Sequence, residues 1–118
     1  MNYEIIFTPQ FEKDVKYYLK KKKYTKIIDD IDEIVMELEK GVFVGSEIAD
    51  LKLPASNSIY KVRAANSSIN AGKSHGFRLI YYVVKDDQEI FLLTIYSKKD
   101  QETISKSEII QMLKMYCT

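Results

Sequence analysis

The sequence predicts an α+β fold: a short N-terminal strand, a helical hairpin, a three-stranded antiparallel meander completing a small mixed sheet, and a C-terminal helix. Three observations carry this. Apolar residues recur at helical spacing over the first third of the chain, they alternate at strand spacing over residues 59–97, and a capping box opens a last helical stretch. With 118 residues there is room for one hydrophobic core, so residues 1–118 are expected to form a single domain.

Residues 3–7 are apolar and β-branched enough for a short strand. Thr8 and Pro9 then read as an N-cap followed by proline in the first helical position. Phe11, Val15, Tyr18 and Leu19 give this helix one buried stripe, and it ends in Lys20, Lys21, Lys22 and Lys23. A solvated helix end that suits the dipole is the preferred reading of that tetralysine, ahead of an RNA contact. A second helix carries Ile27, Ile31, Ile34 and Leu38 on one side, has Asp29 and Asp30 near its start, and can close at Gly41. Residues 42–58 read as irregular, with turns at Pro54 and Asn57 and with Ile48, Leu51 and Leu53 pinning the loop to the core. Strands are expected at 59–65, 77–84 and 89–97, the last two paired through the turn Asp86-Asp87-Gln88. Ser105 and Glu108 form the capping box, with Ile104 and Ile109 as its hydrophobic staple, and Ile109, Ile110, Leu113 and Tyr116 make the apolar side of the last helix.

The composition, 46% hydrophobic and 30% charged, is that of a globular protein. No apolar run reaches membrane-spanning length, and the first residues lack a signal-peptide pattern, so a cytoplasmic protein without a membrane partner is expected. Cys117 and His75 are the only residues of their kinds, which excludes a zinc site; Asp86 and Asp87 read as a solvated turn rather than a magnesium site. Gly72-Lys73-Ser74 resembles the end of a phosphate-binding loop, but the earlier glycine is missing and a strand follows where a helix is required. No metal and no cofactor are therefore expected.

The net charge of +1 hides an uneven distribution. Acids crowd residues 29–50, whereas residues 51–85 contain none and carry Lys52, Lys61, Arg63, Lys73, Arg78 and Lys85. Screening removes contributions from beyond ~8 Å at physiological salt, so a near-neutral protein can hold a strongly positive site. Strand alternation places Tyr60, Val62 and Ala64, then Phe77, Leu79, Tyr81 and Val83, then Phe91, Leu93 and Ile95 toward the helices. Lys61, Arg63, Arg78, Tyr82, Tyr96 and Lys98 are left to converge on the opposite, wet face. Basic residues on the wet side of an antiparallel sheet are ordinary. Against that reading, the only two arginines both fall here, where a guanidinium fork matches phosphate, and tyrosines between cations can stack on bases. Ile80 and Leu92 fall on the same face, so the C-terminal helix is expected to cover that apolar end and to dock beside the cations.

These residue types suit RNA cleavage, in which the 2′-hydroxyl attacks the neighbouring phosphate, a base takes its proton, an acid protonates the leaving oxygen and cations stabilise the phosphorane. Arg63 and Arg78 fit the last role. Lys61, Lys73, His75, Tyr96 and Lys98 are the titratable candidates for the others, and His75 fits a loop hydrogen bond equally well.

The runs Leu51-Lys52-Leu53-Pro54, Tyr60-Lys61-Val62-Arg63, Gly72-Lys73-Ser74-His75-Gly76-Phe77-Arg78-Leu79-Ile80-Tyr81-Tyr82 and Leu92-Leu93-Thr94-Ile95-Tyr96-Ser97-Lys98 resemble the RelE/ParE toxin superfamily, with HigB-like toxins of type II toxin–antitoxin pairs as the most similar branch. The resemblance implies a ribosome-dependent endoribonuclease that enters the A site, cuts bound messenger RNA without a cofactor, and is neutralised by a cognate antitoxin. It assigns Arg63 and Arg78 to the scissile phosphate, and Lys73, Tyr96 and Lys98 to RNA positioning or proton transfer. Lys61, His75 and Tyr82 join them as RNA-binding candidates, although family members commonly have glycine where this chain has His75. Two alternatives remain within the same fold: a ParE-like gyrase inhibitor without nuclease activity, and an inactive relative that only binds an antitoxin.

Overall fold

The computed structural model describes residues 2–117. A five-stranded sheet runs in the order β1-β5-β4-β3-β2. β1 (Glu4–Phe7) lies parallel to β5 (Glu89–Ser97), while β4 (Phe77–Val84) pairs antiparallel with both β5 and β3 (Asn57–Ala64), and β2 (Ser46–Glu47) adds a short antiparallel edge. The expected α+β architecture is present, and each expected strand and helix is found, from the first strand to the last helix.

Helices α1 (Pro9–Lys20) and α2 (Ile27–Glu39) cover one face of the sheet. The Thr8 side chain accepts from the Phe11 amide, capping α1, and donates to the Leu92 carbonyl at 2.7 Å, so the cap also fixes the helix to β5. Phe11, Tyr18, Ile27, Ile31, Ile34 and Leu38 then bury against Val62, Phe77, Leu79, Tyr81 and Val83, the sheet residues that alternation assigns to this side.

The second face is not simply wet. A smaller apolar cluster of Leu51, Ile59, Ile80, Tyr82, Leu93, Tyr96 and Ile109 lies there, sealed by Ile48, Leu53, Met112 and Leu113. Helix α3 (Lys106–Tyr116) begins at the expected capping box and docks on this face through Ile109, which is 2% exposed. Met112 and Leu113 continue that contact, whereas Ile110 turns outward. Ile48, Leu51 and Leu53 do pin their loop, and they pin it to this cluster.

Three readings need correction. Residues 42–58 are not wholly irregular: Ser46 and Glu47 pair with Lys61 and Tyr60, and β3 already starts at Asn57. On β5, strict alternation fails at a bulge, because Ile80 faces Thr94 while Tyr81 faces Leu92, leaving Leu93 as the extra residue. Consequently Ile90, Leu92 and Ile95 face α1 and α2, while Phe91 and Leu93 join the α3 side. Leu92 is therefore not on the cationic face; Leu93 is. Among the described residues, no helix is long and apolar enough to cross a membrane.

Candidate functional site

Beyond the edge of the α3 cluster, the second face opens into a groove of about 520 Å³, within the ~300–1,000 Å³ typical of ligand sites. Lys61, Arg63, Lys73, Arg78 and Lys98 all line it, and among the described residues none of these cations forms an ion pair. Five of the eight sequence-derived candidates thus meet in one place.

Strand register brings them together. Arg63 pairs directly with Arg78, and Arg78 pairs on its other side with Tyr96, so one row crosses β3, β4 and β5. Lys61 lies two residues from Arg63 on the same face, about 7 Å along the strand. Like charges set opposite each other destabilise a sheet pair, so this row carries an electrostatic cost that an anion would relieve. Two glycines shape the walls. Gly45 has φ +100, and a Cβ there would lie 2.5 Å from the Lys61 carbonyl oxygen, so only glycine lets the chain before β2 close over β3. At Gly76 a Cβ would meet the Ala64 carbonyl oxygen at 2.2 Å; the bare backbone holds the loop bearing Lys73 against the end of β3. The Gly76 carbonyl accepts from the Lys98 amide at 3.0 Å, which fixes the last cation of the groove.

The two arginines differ. Arg63 is exposed, as expected of a wet face. Arg78 is not: it is 6% exposed, its Nη1 donates to the carbonyls of Lys73 (3.1 Å) and Phe77 (3.2 Å), and its Nη2 donates to that of Ser74 (3.2 Å). The guanidinium therefore knits the 73–77 loop to β4 while its remaining donors border the groove. A buried cation satisfied by carbonyl dipoles, with no ion pair among the described residues, is costly unless an anion visits.

Three candidates fall outside the groove lining. Tyr82 packs in the α3-side cluster and its hydroxyl accepts from Asn57 Nδ2 at 2.7 Å, so no ring face is free for a base. His75 is exposed on the turn after Gly72, with its amide bonded to the Gly72 carbonyl at 3.2 Å. Tyr96 pairs with Arg78 in the strand register but is 4% exposed, and its buried hydroxyl has only Thr103 near enough to influence it, without the geometry of a formed hydrogen bond. Burial raises its phenol pKa, and the opposing pulls of Thr103 and the Arg78 charge do not cancel this, so the group stays neutral.

The groove also contains residues that sequence reasoning missed: Gly45 and Ser46 from the β2 edge, and Glu102 from the segment after β5. No periodicity marks them, since their positions depend on how two loops fold back. Among the described residues, Glu102 is the only acid in the lining. A separate cleft of about 360 Å³ along α1 and α2 is walled by Phe7, Phe11, Val15, Leu19 and Ile28 and is mainly apolar.

The chain matches no protein-family model and no curated protein. Among solved structures, one similar chain is a free-state double mutant of the toxin RelE from Escherichia coli, at 19% identity and a TM-score of 0.47, covering 86% of this chain and 90% of that one.

Proposed function

We propose that this chain is a ribonuclease toxin that cuts messenger RNA on the ribosome and is held in check by an antitoxin, as the HigB-like sequence resemblance implies. The observation that carries the reading is the groove itself, where five cations, none of them in an ion pair among the described residues, converge on one end of a sheet face. A single phosphate would draw on Arg63 and on the free donors of Arg78, and Lys61, Lys73 and Lys98 would guide the flanking backbone. In this reading the arginines act on the charge that builds up as the 2′-hydroxyl adds to phosphorus. Tyr96, beside Arg78 in the strand register, is buried and moves no proton, and Tyr82 is structural. The antitoxin would inhibit by occupying the groove that RNA needs.

Cleavage of messenger on programmed ribosomes, run beside inhibition of gyrase supercoiling, tests the reading. Defined cuts in the message with no effect on gyrase are expected. Gyrase inhibition without cleavage would replace this function with the ParE-like one, and neither activity would leave the groove to antitoxin binding alone.

A further inference from the structure

We infer that Glu102 is the proton acceptor of the groove, taking the proton of the attacking 2′-hydroxyl. This deepens the ribonuclease reading above and rests on it.

The cationic side chains of the lining, Lys61 and Arg63 on β3, Arg78 on β4, Lys73 on the preceding loop and Lys98 after β5, donate hydrogen bonds and, as cations, have no acceptor to offer. Ser46 contributes a hydroxyl, a weak base. Tyr96 is buried beneath the row and neutral, and His75 lies outside the lining. Among the described residues, Glu102 is the one carboxylate residue that lines the groove, and no ion pair or hydrogen bond holds it. A carboxylate in a phosphate site also works against affinity: the repulsion is about 1 kcal/mol at ~4 Å in water. Its presence among five cations is thus a cost to binding that proton transfer would offset.

The O2′ proton passes to the Glu102 carboxylate, the O2′–P bond forms, the P–O5′ bond breaks, and the departing O5′ takes a proton from solvent. The products are a 2′,3′-cyclic phosphate and a 5′-hydroxyl end, and Glu102 returns its proton to water.

Single-turnover cleavage of ribosome-bound messenger by wild type, Glu102→Gln and Glu102→Asp, followed across pH, tests this, alongside equilibrium binding of an uncleavable 2′-deoxy-substituted message. Glu102→Gln is expected to slow cleavage by ~10²-fold or more and to flatten the acidic limb of the pH–rate profile, while binding stays equal or tightens. Glu102→Asp should recover part of the rate and restore the limb. The carboxylate is exposed, so both variants should fold, which circular dichroism verifies. Should Glu102→Gln cleave within about threefold of wild type with its acidic limb intact, the assignment of Glu102 is overturned and the ribonuclease reading stands. If wild type itself leaves the message whole, both are overturned together.

Discussion

Replacing Arg78 with alanine should damage the fold as well as the groove, whereas the same change at Arg63 should damage the groove alone. Arg78 is 6% exposed and donates to three backbone carbonyls. Hydrogen bonds from a charged donor contribute about 1.5–3 kcal/mol each, a gross loss of roughly 5–9 kcal/mol on truncation. Two offsets reduce it: the Lys73 and Ser74 carbonyls belong to an exposed loop where water can replace the guanidinium, and removing an unbalanced buried charge recovers several kcal/mol of desolvation. A net destabilisation of about 2–3 kcal/mol remains, large against a domain stability of ~5–15 kcal/mol but not enough to unfold it. Arg63 is exposed and its removal should change stability by less than about 0.5 kcal/mol. Urea unfolding of both variants, paired with affinity for a short single-stranded RNA, reads the contrast directly. Weakened RNA binding in both, with a lowered urea midpoint only for Arg78→Ala, is expected. An Arg78→Ala protein as stable as wild type would refute the tether, and an Arg63→Ala protein with undiminished RNA affinity would refute the phosphate groove.

Other outcomes follow from neighbouring features. His75→Gly should keep RNA affinity and cleavage within about twofold of wild type, because the imidazole does not line the groove; a loss of ~10²-fold would make it a catalytic group. Ile109→Ala should cost about 2–4 kcal/mol by opening a cavity under α3. It should also speed alkylation of Cys117, whose thiol burial pushes up to about 11, and unchanged labelling would mean that α3 is not held by that contact. The Asp14 carboxyl is raised above its ordinary 3.8 by burial, despite hydrogen bonds from Thr94, Gln10 and the Ile95 amide. The folded state then holds this proton more tightly than the unfolded one. Stability from Asp14 is full below its ordinary value and is lost as pH rises through its folded value. Urea midpoints should thus show wild type losing ground to Asp14→Asn as pH climbs through that window, and a parallel pair of curves would contradict it.

Much of the fold was legible because its signals are local. Thr8-Pro9, the Ile27–Ile31–Ile34–Leu38 stripe and the Ser105–Glu108 box each specify an element within a few residues, and each element is present. The bulge at Leu93 was not legible. Residues 89–97 read equally well as one unbroken alternation, and only the pairing with Ile80 and Tyr81 reveals the inserted residue. Because a one-residue slip exchanges the two faces, that single bulge moved Phe91, Leu92 and Leu93 to the sides opposite those expected.

The tyrosines were misplaced for a related reason. A sheet with helices on one side suggests a wet second side, but here α3 and the 48–53 segment cover part of it. The boundary between dry and wet crosses β4 between Ile80, fully buried, and Arg78, 6% exposed. Tyr82 lies two residues further into the dry half, and Tyr96 lies under its rim, so neither ring can serve as a base platform. Arg78 marks the boundary itself, and this accounts for arginine at that position. A lysine ammonium there is a compact, strongly hydrated charge that would lose its water without a fixed geometry in return. The guanidinium instead spreads its charge over a planar fork that satisfies three carbonyls at once and keeps donors for the groove. The same residue that borders the apolar cluster thereby lines the cationic groove and ties the 73–77 loop to its wall.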